Sequence, residues 1–276
     1  MSSASTSAST STPFDLGLTG QRAVVTGAGR GIGLAITERL VAAGAKVVAG
    51  TKERTEALDA LIEKGAELTV VELDLAVPDG PCTLVATAVD LHGGLDVLVN
   101  NVGAVRPRVE GFLATTDADW DWTFTINLMA AVRATRAALP HLIETGNGRI
   151  VTVSSVNARL PDPLVIDYSA AKAALSSFGK ALSKQVGALG VRVNSVSPGP
   201  VETPLWQGAD GVAATVGAKQ GVDAASVAAS AAAQAATGRF TLPSEVADLV
   251  VFLASERSGN VTGADFLIDG GMTDVL

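Results

Sequence analysis

Tyr168 and Lys172 stand four residues apart in a stretch with helical spacing, so one turn of helix brings both side chains to the same face. A phenol with an ordinary pKa near 10 is a poor base at neutral pH. An ammonium one turn away stabilises the phenolate and lowers that pKa. The pair is therefore suited to giving or taking a proton at an oxygen whose charge changes. Ser155, thirteen residues before Tyr168, ends a short β-rich run and offers a hydroxyl to the same reacting oxygen. Ser154 is its neighbour in the same run, and the thirteen-residue spacing prefers Ser155. A lone tyrosine on a helix is ordinarily a packed core aromatic. Tyr168 is the chain's one tyrosine, and its company makes it a catalytic candidate.

A second group of residues is suited to phosphate. Thr26-Gly27-Ala28-Gly29-Arg30-Gly31-Ile32-Gly33 follows one apolar run and opens a helical pattern. Glycines there let backbone N–H groups approach a pyrophosphate, and the helix N-terminus adds partial positive charge. Gly27, Arg30, Gly31, Ile32 and Gly33 are the cofactor candidates from this loop. About twenty residues further on, an NAD-binding chain places an acid to hold the ribose 2′-hydroxyl. Here Thr51 stands in that place, followed by Lys52 and Glu53. Lys52, with Arg30 joining from the loop, suits a 2′-phosphate and favours NADP(H). The competing reading has Lys52 solvated and Glu53 on the ribose, which gives NAD.

Positioning these groups takes a regular scaffold. Short apolar runs at 23–26, 46–49, 68–73, 97–99, 150–153, 191–196 and 266–268 alternate with helical patterns at 31–43, 54–64, 84–91, 120–143, 168–189 and 244–254. Apolar strands separated by helices predict an α/β, doubly wound parallel sheet, Rossmann-like, with ligands at the carboxyl ends of the strands. A single domain over 13–276 is expected, preceded by a disordered Ser/Thr-rich tail at 1–12. The segment 205–240, rich in Ala and Gly with Trp206 near its start, breaks the rhythm and reads as a long loop acting as a substrate lid.

Composition removes several function classes. A net charge of -8 argues against nucleic acid as a partner. Cys82 is the single cysteine, no Cys/His spacing fits a metal, and His92 and His141 read as ordinary helix histidines. No apolar run reaches the length of a membrane span. The first residues lack the pattern of a signal peptide, so the cytoplasm is the expected location.

From about residue 21 to residue 271 the chain resembles the short-chain dehydrogenase/reductase family, of the kind that includes bacterial 3-ketoacyl and carbonyl reductases. The resemblance rests on the glycine loop, on Asp96-Val97-Leu98-Val99-Asn100-Asn101-Val102-Gly103, and on Ser155…Tyr168-x-x-x-Lys172. Val102 stands where the family more often has alanine and adds bulk beside the cofactor site. The resemblance implies that Asn127 is an active-site asparagine anchoring a water toward Lys172, and that Lys172 also holds the ribose. It further implies that Asp74 and Leu75 contact adenine, and that Asn101 and Gly103 wall the adenosine and nicotinamide sites. Pro198, Gly199, Val201 and Thr203 would border the nicotinamide end. The implied activity interconverts a ketone and a secondary alcohol with NADP(H), in a homotetramer acting on a small molecule. The segments 105–110, 156–164 and 205–240, mostly apolar, point to a hydrophobic or aromatic ketone. Rival readings are an NAD-dependent alcohol dehydrogenase, a non-catalytic nucleotide sensor, and an acyl-carrier-linked ketoreductase docking through Arg106, Arg108 and Arg159.

Overall fold

A computed structural model describes residues 15–274, so the expected tail at 1–12 lies outside the described residues. Val24, Val48, Leu98, Ile150 and Val193 point to one side of a sheet, while their neighbours Val25, Val47, Ala49, Val97, Val99 and Val151 point to the other. This two-residue alternation builds two cores, one on each face. The strands are β1 Arg22–Thr26, β2 Lys46–Thr51, β3 Leu68–Glu72, β4 Val97–Asn100, β5 Gly148–Val153, β6 Val191–Pro198 and β7 Asp265–Ile268. All pair in parallel, in the order β3-β2-β1-β4-β5-β6-β7. The chain reverses its winding between β1 and β4, and that switch point is where such sheets open a crevice.

Helices α1 Gly31–Ala42 and α2 Glu56–Glu63 cover one face together with α10 Pro243–Ala254. The other face is packed by α3 Gly80–His92, α5 Ala130–Glu144 and α6 Ile166–Val186, through Leu84, Val85, Ala134, Ala138, Leu142, Leu182 and Val186. The doubly wound single-domain expectation is met.

Two segments differ from the sequence reading. The pattern at 120–143 is not one regular helix. It starts at α4 Asp117–Phe124, where Thr116 and Asp119 form a reciprocal cap, and passes through a π-turn, Thr125–Met129, before α5. The expected long loop at 205–240 is largely helical, with α7 Pro204–Gln207, α8 Val212–Gln220 and α9 Ala224–Ala232. Its alanines are good helix formers. Gly221, at φ +71°, ends α8, and Asp223 caps α9 by accepting from Ser226 N at 2.8 Å.

Candidate active site

The glycine loop is shaped by close approach. A Cβ on Gly33 would collide with the Gly27 carbonyl oxygen, and one on Gly29 with Thr51 Oγ1. Gly27 and Gly31 have φ of +69° and +55°, which suit glycine. Asn101 pins the loop by donating through Nδ2 to the carbonyls of Thr26 and Gly27, at 2.9 and 3.0 Å. Helix α1 then begins with Arg30 at its cap, no side chain satisfying its first N–H groups and no acid in its first turn. Those donors face a cavity of about 1100 Å³ that runs from the glycine loop past Tyr168 to Trp122 and Trp206. A helix N-terminus left open onto a cavity, behind glycines that admit a phosphate, fits a nicotinamide dinucleotide.

Every residue assigned above to the cofactor lines this cavity, as does Ser155. At one end Thr51 is buried, and its hydroxyl donates to the Glu53 carbonyl at 2.8 Å. Lys52 Nζ bonds Asp74 Oδ2 at 3.0 Å. The Ala76 N–H and then Lys52 hold the Asp74 carboxyl below its usual range. Thr203 abuts the glycine loop, its Cγ2 3.2 Å from where a Cβ on Gly31 would stand, and Gly199 N donates to Ile268 O at 3.1 Å, fixing the segment after β6.

Asn127 is the candidate that does not line the cavity. It is buried, 1% exposed, and its side chain makes three hydrogen bonds. Nδ2 donates to the carbonyls of Ala104 and Thr123, while Oδ1 accepts from Ala104 N. Its Oδ1 accepts this single bond, so a second lone pair remains on the side chain. Asn127 sits inside the π-turn Thr125–Met129.

Lys172 is 2% exposed, and its Nζ donates to the Val153 carbonyl at 2.9 Å. Burial lowers its pKa to about 8, which leaves it mostly protonated at neutral pH. The Tyr168 phenol is pushed up to about 12 by burial, with the Ser155 hydroxyl pulling the other way. Lys172 Nζ, tied to Val153, lies 5.6 Å from the phenol ring centroid. Ser154 Oγ is 2.8 Å from Ser176 Oγ, engaged with α6, whereas Ser155 Oγ donates to Asn157 Oδ1 at 3.1 Å, accepts from Asn157 N at 3.2 Å, and lowers the Tyr168 pKa. The structure thereby separates the two serines.

A cluster that the sequence reading missed secures Tyr168. Arg108 Nε and Nη2 donate to Asp167 Oδ2, and Arg108 Nη1 donates to Asp119 at 2.8 Å. Thr123 Oγ1 donates to the same Asp167 oxygen at 2.6 Å. Burial would raise the Asp167 pKa, but donation from Arg108 and Thr123 outweighs it and keeps the carboxyl low. Arg108 was read as a docking cation and is instead an internal strut. Of the other two docking candidates, Arg159 pairs with Asp265 at 3.1 Å, and Arg106 lies with Cζ 3.7 Å from the Trp122 ring centroid. The one available signal for the cluster was an acid directly before Tyr168 at a helix start.

The chain matches the family described as Enoyl-(Acyl carrier protein) reductase over residues 27–273. It is 39% identical to the short-chain reductase protein NovJ of Streptomyces niveus, across 90% of this chain and 92% of that one. Identity to the 3-oxoacyl-[acyl-carrier-protein] reductase FabG of Thermotoga maritima is 33%, across 92% and 98%. The solved L-sorbose reductase of Gluconobacter frateurii, in complex with NADPH and L-sorbose, superposes with a TM-score of 0.88 at 34% identity, covering 95% of this chain and all of that one. Among the described residues no helix is long and apolar enough to cross a membrane, and no group of side chains is placed to hold a metal. With the family match spanning 27–273 and these relatives covered over nearly their whole length, the chain belongs to the short-chain dehydrogenase/reductase family of oxidoreductases.

Proposed function

We propose that the protein is an NADP(H)-dependent carbonyl reductase that interconverts a ketone and a secondary alcohol, with Tyr168 as the proton donor and acceptor. The observation that carries this reading is the placement of Ser155, Tyr168 and Lys172 on the wall of the same cavity that the glycine loop closes. When bound, the nicotinamide dinucleotide supplies the hydride, and the protein supplies position and proton.

Ser155 and Tyr168 present hydroxyls to the substrate oxygen as negative charge grows on it. Held neutral by burial, Tyr168 is in the donor form throughout the neutral range and hands its proton to that oxygen. The Lys172 ammonium supports the phenolate that remains and would hold the ribose hydroxyls of a bound cofactor. In the reverse direction Tyr168 takes the proton back. Helices α7, α8 and α9 act as the lid over the substrate, and the working form is a homotetramer.

The preference for NADP(H) is supported by Lys52 and Arg30 beside the ribose end and by Thr51, whose hydroxyl is already given to Glu53. The NADPH held by the L-sorbose reductase favours the same reading. The test is cofactor oxidation followed by absorbance, with NADPH and NADH supplied separately against aliphatic, aromatic and β-keto ester ketones. Turnover with NADPH well above NADH is expected. Turnover with NADH alone overturns the cofactor assignment, and none with either overturns the reductase reading.

A further inference from the structure

Beyond Tyr168 the cavity wall is built from Val105, Pro107, Trp122, Ile126, Leu160 and Trp206. The cations in the surrounding loops are committed elsewhere. Asp167 and Asp119 hold Arg108, Asp265 holds Arg159, Glu110 holds Lys219 at 2.6 Å, and Arg106 lies on Trp122. None of these four lines the cavity. Among the described residues, the lysines and arginines that do line it are Arg30 and Lys52 at the glycine-loop end, and Lys172 in the catalytic turn. The carboxylate at the substrate end is Asp162, which would repel an anion. The lid adds only uncharged polar groups there, Ser226, Ser230, Gln220 and Gln234.

A carboxylate or phosphate entering this end loses hydration and meets no counter-charge. We infer that the substrate of this site is an uncharged ketone with an apolar or aromatic body, rather than a keto acid or an acyl group on a phosphate-bearing carrier. The inference rests on the reductase reading above. It separates this chain from what FabG of Thermotoga maritima is named for, at 33% identity, and from a sugar such as L-sorbose.

Three probes with the same reacting group decide it: acetophenone, its carboxylate derivative 4-acetylbenzoate, and the polyhydroxylated neutral ketone L-sorbose. With NADPH, kcat/KM for acetophenone is expected to exceed that for 4-acetylbenzoate by about 100-fold or more, and to exceed that for L-sorbose. Equal or better turnover of 4-acetylbenzoate, or a preference for L-sorbose, overturns the inference and leaves the reductase reading standing. A second readout uses no chemistry. Trp122 and Trp206 both line the cavity, so occupancy changes the intrinsic fluorescence of the Tyr168→Phe protein. Silence with all three ketones sinks the reductase reading. In that case quenching by acetophenone alone still supports an uncharged apolar ligand, while equal quenching by 4-acetylbenzoate, or none by any probe, overturns it.

Discussion

Arg108 grips Asp167 through Nε at 3.0 Å and Nη2 at 2.5 Å, and Asp167 is the residue immediately before Tyr168. Because Asp167 also accepts from Thr123 and from Tyr168 N, the loop after β4, helix α4 and the start of α6 meet on one buried carboxylate. Arg108→Met strands that charge and is expected to cost about 3–5 kcal/mol. Arg108→Met/Asp167→Leu, which removes both charges, is expected to cost less than the single change. Urea denaturation of the two singles and the double measures the coupling. Additive losses would show that the two charges do not depend on each other.

Tyr168→Phe deletes the hydroxyl and keeps the ring. Turnover is expected to fall by about 100-fold or more, as for loss of a general acid, while NADPH affinity measured by fluorescence titration stays within a factor of a few. Substantial remaining activity would mean that another group supplies the proton.

Lys52→Ala removes a cation from the ribose end and frees Asp74 from its partner. The KM for NADPH is expected to rise by about tenfold, in the range of one charge-assisted hydrogen bond, with that for NADH little changed. Equal losses for both cofactors would place Lys52 away from the 2′-phosphate.

The pH dependence differs by direction. Tyr168, raised to about 12, stays protonated between pH 6 and 8, so the reduction rate should be flat there. Alcohol oxidation needs the phenolate, whose fraction grows as pH approaches the pKa, so its rate should climb from pH 7 to pH 10. An oxidation rate that levels off below pH 7 would contradict the raised value.

Lys172 carries a stability cost with a defined window. Its folded pKa, about 8, is lower than its ordinary 10.5, so the unfolded chain binds more protons between those values and stability rises with pH across them. Below pH 8 the whole penalty of burying the ammonium is present, on the order of 3 kcal/mol. The bond to Val153 offsets about 1 kcal/mol. Lys172→Met is therefore expected to melt a few degrees higher than the wild type at pH 7 while losing activity, and the gap should narrow toward pH 10. A variant that melts lower at every pH would mean that the ammonium is better solvated than its surroundings imply.

Features governed by local spacing were legible in the sequence. The glycine loop had to be glycine wherever backbone met backbone, as Gly33 meets Gly27, and Tyr168 and Lys172 needed only one helical turn between them. What escaped depended on distant parts of the chain. Arg108 finds Asp167 across 59 positions, a pairing that no local pattern encodes, so it read as a surface cation. The separation of Ser154 from Ser155 depended on Ser176 in α6, which lies behind one of them. The segment 205–240 has strong helix formers but a weak apolar stripe, so it read as a loop, although Gly221 and Asp223 marked its turns.

The π-turn at Thr125–Met129 amounts to one extra residue wound into an otherwise continuous rod. Each residue turns an α-helix by about 100°. Five residues at the wider π pitch turn the chain about as far as four at the α pitch, so deleting one there would heal the turn and leave Ala134, Ala138 and Leu142 on the sheet. The turn thus sets Asn127 off the α-helical phase without moving the packing face downstream. A one-residue change of length at the turn would therefore rework the cavity wall around Ile126 and leave the hydrophobic core in place, so this stretch of the site can vary without unseating the helix that carries it.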